Sequence, residues 1–204
     1  MKIKTPDEMR QAEILRHVKD VLGDSYVHIE PAGVEIKEDL LKEETEVRCE
    51  AMIRGEIVQI EATGSGVIDA LFQGIRTVLA QEYCSLEEIS FEDFIIDINP
   101  ATRKKREGTD VSVFVELIVR NSRDVHHHFH SEAKSFNVAA IRAVLDAIGY
   151  YVNCELAVVR LSELLRDAKK RNRADLLRSY TNLLSEVVQN TSYEKTIVKW
   201  RQKN

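Results

Sequence analysis

The feature that most limits how this chain can fold is a repeat of itself. Residues 46–54, EVRCEAMIR, and 112–120, SVFVELIVR, lie 66 positions apart and share Val47/Val113, Glu50/Glu116 and Arg54/Arg120. IRTVL at 75–79 and IRAVL at 141–145 keep the same spacing. Around each copy, three short runs with strand-like apolar patterning are followed by one with helical spacing. The order predicts an α+β fold of two βββα units, at about 26–82 and 89–150, with helices packed on antiparallel sheet and further helices at both ends.

Local signals place the flanking pieces. In TPDEMRQAEILRHVKDVLG, Thr5 can cap, Pro6 suits the first helical position and Glu8 completes a capping box. Ile14, Leu15, Val18 and Leu22 then form one stripe, and Gly23 is a stop signal. The IRGE turn predicts a hairpin of strands 47–53 and 56–62. After Asn153, Leu161, Leu164, Leu165 and Ala168, and then Leu176, Leu177, Tyr180, Leu183, Leu184, Val187 and Val188, mark two helices joined at KKRNR (169–173). A short helix is expected near 193–200. The chain thus divides into an N-terminal helix (1–23), a duplicated domain (24–153) and a helical extension (154–204).

A formal net charge of -5 argues against a dedicated nucleic-acid binder, because phosphate contacts need a basic face. The basic clusters RKKRE (103–107) and KKRNR sit beside acidic residues and read as solvated loops. Cys49, Cys84 and Cys154 form no CxxC pair and read as thiols of a reducing compartment. No apolar run is long enough to span a membrane, and MKIKTPDEMR lacks the apolar core of a signal peptide, so a cytoplasmic location without membrane contact is expected. No set of catalytic residues emerges; Glu92, Asp93 and Asp97 read as ordinary edge or loop carboxylates.

TGSGVIDALFQGI places Gly64 and Gly66 between a strand and a helix start, where backbone can approach a ligand and first-turn N–H groups attract a carboxylate. The third glycine of a dinucleotide fingerprint is absent. In this setting Gly64-Ser65-Gly66-Val67-Ile68-Asp69-Ala70 resembles the GxGPVDA segment of the C-terminal regulatory domain of the α-isopropylmalate synthase and citramalate synthase family. The resemblance implies two βββα units, a homodimer, and a branched-chain amino acid held by Gly64, Ser65, Gly66, Asp69 and Ala70 together with Ser135 and Asn137 of the second junction. It implies no cofactor. The family's catalysis resides in a (β/α)8 barrel, for which these residues leave no room. A non-catalytic regulatory or small-molecule-sensing domain, which could act in trans on a separate catalytic subunit of branched-chain amino-acid biosynthesis, is the first expectation. A dimeric structural module with a decayed ligand site is the second, because Ser131 and Ala133 align with the second junction's expected glycines.

DVHHHFHSEAK (124–134) supplies a third reading, a metal-binding protein. Setting the third strands 67 positions apart matches Val58, Ile60 and Ala62 with Val125, His127 and Phe129. Those odd-numbered residues then face inward, and His126, His128 and His130 outward. Residues two apart on a strand can share an ion, but His126 and His130 are too far apart to do so, and a further ligand would have to come from elsewhere. The plainer alternative is a polar strand face, with a pH-sensitive interface as a variant.

Overall fold

The computed structural model describes residues 5–98, 112–189 and 192–203. The basic cluster at 103–107 lies outside them. Helix α1 (Pro6–Leu22) begins with the expected box: Glu8 N donates to Thr5 Oγ1 at 3.2 Å and Thr5 N to Glu8 Oε2 at 2.6 Å. Accepting that backbone N–H holds the Glu8 carboxyl below its ordinary range. Strands β1 (Ile29–Asp39), β2 (Glu44–Ile53) and β3 (Glu56–Gly64) form one antiparallel sheet, and α2 (Val67–Leu79) packs on it. Strands β4 (Ile89–Ile98), β5 (Val113–Asn121) and β6 (His126–Ala133) form a second sheet of the same order. The two βββα units are therefore present. Arg54 and Gly55, at φ 53° and 82°, make the tight β2–β3 turn with both central residues left-handed, as a two-residue hairpin requires.

The second unit's helix does not stop where the sequence changes character. Helix α3 runs without a break from Phe136 to Lys170, 35 residues or about 50 Å. It joins the expected domain helix to the first arm of the expected hairpin. Between Ala139 and Leu161 its buried residues fall on every side, because β5, β6, α1, α2, β1 and α4 (Ala174–Val188) all pack against it. A helix buried all round has no single apolar stripe. Asn172, at φ 54°, turns the chain into α4, and the basic residues there pair locally, Arg171 with Asp167 and Arg173 with Asp175. Helix α5 (Glu194–Lys203) follows.

Buried polar groups of α3 fasten the units to it. Asn153 is fully buried, and its Oδ1 accepts from Val27 N at 2.8 Å while its Nδ2 donates to Val27 O and Gly149 O, both at 2.8 Å. Glu155 accepts from Cys84 N (3.2 Å) and Ser85 N (2.7 Å), capping the 3-10 turn Cys84–Glu88 that leads into β4. All three cysteines are free and buried.

Strand register corrects one detail of the repeat. With Ala51 matched to Leu117, the ladders place Val58 opposite Ala51 and Phe129 opposite Leu117. Val58, Ile60 and Ala62 therefore correspond to Phe129, Ser131 and Ala133, not to Val125, His127 and Phe129. Val125 lies before β6 and is 42% exposed. The cause is the β5–β6 turn, which Asn121 enlarges by accepting from Arg123 N (2.9 Å) and Val125 N (3.0 Å). Parity is unaffected: His127 and Phe129 are buried, His126 and His130 exposed, and His128 half-buried.

Candidate functional site

The first junction is built by close approach. β3 ends at Gly64, two residues link it to α2, and Gly66 is the N-cap. A Cβ on Gly64 would sit 2.7 Å from both Ala70 N and Asp69 Oδ2, so no larger residue fits without moving the helix. Asp69 Oδ2 accepts from Ser65 N at 3.3 Å and Ser65 Oγ at 3.4 Å, which places a carboxylate over the first turn of α2. Gly66 is extended at φ -173° with open space around it, so neither conformation nor packing demands glycine there. Gly64, Ser65, Gly66, Asp69 and Ala70 thus form one compact cluster.

The second junction is chemically different. β6 ends at Ala133, and Lys134 and Ser135 lead into α3. By position relative to the helix, Ala133 stands where the first unit has Gly64 and Ser135 where it has Gly66. Ser131 is two residues inside the strand, opposite Val115, and is not at a glycine position as the sequence alignment expects. Ser135 caps with no side-chain hydrogen bond, and the first turn of α3, with Asn137 in its second position and Val138 where α2 has Asp69, holds no acidic residue. The two junctions lie on separate units, each at the N-terminus of its own helix.

The histidines sort by face. His127 is buried with its Nδ1 2.9 Å from the Tyr151 hydroxyl. His128 Nδ1 lies 2.9 Å from the buried Glu116 carboxylate, and its backbone N–H and C=O are both taken by the Gln11 amide of α1, at 3.2 and 3.1 Å. Gln11 thereby occupies the hydrogen-bonding edge of β6 that a further strand would use. Sequence patterning could not show this, because Gln11 lies on the half-polar side of α1 and its target is backbone. Among the described residues, no group of three or more His, Cys, Asp or Glu side chains is placed to hold a metal ion, and no helix is long and apolar enough to cross a membrane.

A duplicated βββα architecture with a glycine junction is also what comparison with protein families finds. The model described as the LeuA allosteric (dimerisation) domain matches residues 8–152. The chain belongs to that family. The family is a regulatory and dimerising one rather than catalytic, and the match begins inside α1 and ends within α3. No curated protein matches the chain. For a LeuA-type domain, the 66-residue repeat of the middle strands is the internal duplication of the fold.

The glycine geometry makes a direct prediction. Gly64→Ala is expected to lower stability by about 1–3 kcal/mol through overpacking at the junction. Gly66→Ser is expected to be neutral or to stabilise by up to about 1 kcal/mol, since serine is a good N-cap. Urea unfolding at fixed protein concentration checks both, and equal losses would contradict the assigned close approach.

Proposed function

We propose that the chain is a dimeric sensor of a branched-chain amino acid or its keto acid, acting in trans on a separate catalytic subunit of branched-chain amino-acid biosynthesis. The ligand is held by Gly64, Ser65, Gly66, Asp69 and Ala70 of one junction with Ser135 and Asn137 of the other. The observation that carries this is the close packing at Gly64, where an added Cβ would meet Ala70 N and Asp69 Oδ2 at 2.7 Å. The junctions offer complementary chemistry. Asp69 suits an ammonium group, and the first turn of α3, without an acidic residue, suits a carboxylate. An amino acid uses one of each, and a dimer is the natural way to bring them together.

The second copy, on this reading, covers the inner faces of β1 and β4. Phe94 and Ile96 pair with Leu117 and Val115, which are fully buried beneath α3, yet are themselves 40% and 49% exposed. Val34 of β1, paired with the fully buried Cys49, is 43% exposed. In both units the first strand extends the apolar face beyond its helix.

Calorimetry of the full chain against leucine, isoleucine, valine and their keto acids tests the proposal. Saturable binding is expected for at least one amino acid, and Asp69→Asn should weaken it while sparing the keto acid. No heat with any of them from folded dimer overturns the reading. That result would favour the alternative of a dimeric structural module with a decayed ligand site, for which Ala133 at the second junction argues.

A further inference from the structure

A cleft of about 360 Å³ lies between α1, the segment entering β1, β6 and α3. Its floor is apolar: Leu15, Phe129 and Tyr150, with the Phe129 and Tyr150 rings edge to face at 5.5 Å. Its rim carries Lys19, His28 and His130. The Lys19 ammonium stands 5.3 Å from the centroid of the Tyr26 ring, His28 packs against the same ring at 5.0 Å, and His130 stacks on Phe114 at 5.7 Å. These ring contacts hold the three groups without neutralising them. Among the described residues, none of the three side chains makes a hydrogen bond or a salt bridge.

Several other cations do have carboxylate partners: Arg48 has Glu35 and Glu61, Arg54 has Glu82, Arg120 has Glu92 and Asp124, and Lys195 has Glu87 and Glu88. In a chain of formal net charge -5, one lysine and two imidazoles, none of them in a hydrogen bond or salt bridge among the described residues, line one cleft. The ring of the neighbouring His128 is already engaged by Glu116. The acidic residue lining the cleft is Asp146 of α3, and burial raises its carboxyl above the ordinary range, against the opposing pull of His130, Arg142 and Lys19.

We propose that this cleft binds a small organic acid, its carboxylate held by Lys19, His28 and His130 and its apolar or aromatic body resting on Leu15, Phe129 and Tyr150. Cationic donors fix the acid group, and the aromatic floor supplies contact area. The site uses no residue of either glycine junction and does not rest on the proposed amino-acid site.

Benzoate is the probe, with benzamide as its neutral match and benzylamine as its cationic one. Imidazole carbon–proton correlation spectra of the full chain report binding at each histidine. Benzoate is expected to shift the His28 and His130 signals saturably and to leave His17, which is paired with Glu186 between α1 and α4, unmoved. Lys19→Ala and His28→Ala, both exposed positions, should each weaken binding roughly tenfold. Asp146→Asn should tighten it. Benzamide or benzylamine binding as well as benzoate overturns the proposal, as does an absence of saturable shifts or an Asp146→Asn variant that binds benzoate more weakly. Gly64→Ala should leave benzoate binding unchanged while affecting any amino-acid site, so the two sites fail separately.

Discussion

Replacing Asn153 by alanine is expected to cost about 3–5 kcal/mol of stability, a large effect for one side chain. The side chain is fully buried and makes three hydrogen bonds of 2.8 Å, two of them to both backbone groups of Val27. Truncation leaves that N–H and that C=O buried without the amide, and each such orphan costs about 1–3 kcal/mol. The amide orientation is set by its partners, since a flipped group would turn its oxygen toward two carbonyls. Asn153→Asp should therefore be at least as damaging as alanine, because it keeps the acceptor for Val27 N and loses the donor. Arg160→Ala, which removes only an exposed pair with Glu163 on the same helix, should change stability by less than about 1 kcal/mol. Urea unfolding at one fixed protomer concentration keeps dimer formation out of the comparison. A loss below about 1 kcal/mol for Asn153→Ala would show that α3 does not pin the entry to β1 in this way.

Much of the fold was legible because it rests on local chemistry repeated twice. Thr5, Pro6, Glu8 and Gly23 bound α1, Arg54 and Gly55 close a hairpin, and alternation along β6 correctly assigns His127 and Phe129 to the core. What escaped were features that depend on tertiary partners. The continuity of α3 through Asn153 was hidden because neighbours on every side remove the amphipathic contrast that marks a single helix. The four-residue slip in matching β6 to β3 arose from Asn121, whose side chain stabilises a longer turn than RNSRD suggests. Because four is even, each side chain kept its face while Ser131 lost its assigned equivalence to a glycine. At the candidate site, the glycine cluster of the first junction was legible as a motif. The need for Gly64 alone, and the freedom at Gly66, follow only from the distance to α2.

The cleft at Lys19 was not legible at all. Its residues come from positions 11–28, 128–130 and 146–150, and no spacing rule links them. Of the four clustered histidines that draw attention in the sequence, one is core, one is tied to a buried glutamate, and His130 shares a cleft with His28, 102 positions away, only through tertiary packing.

A charge on the inner face of β4 is expected to dissociate the dimer. Strand β5 is the middle strand of its sheet and lies under α3, so Val115, Leu117 and Val119 are fully buried. β4 lies outside that cover, and the one-residue bulge between Phe91 and Asp93 brings Phe94, Ile96 and Ile98 into line with Leu117, Val115 and Val113. An apolar face continuous with the core but open on one side is the surface that the proposed dimer would close by pairing. Ile96→Asp and Phe94→Asp should each weaken dimerisation at least ~100-fold, since burying an unpaired carboxylate at an apolar contact costs several kcal/mol. The substituted side chains are half-exposed in one protomer, so the monomer should keep its secondary structure by circular dichroism. Leu41→Asp, in the β1–β2 turn and 98% exposed, is the control for an added charge alone and should leave the dimer intact. Sedimentation equilibrium over a range of protomer concentrations separates the outcomes. A dimer constant unchanged by Ile96→Asp would place the interface elsewhere. Loss of the dimer with retained fold would assign it to β4, and a parallel effect of Val34→Asp would extend it to the matching strand of the first unit.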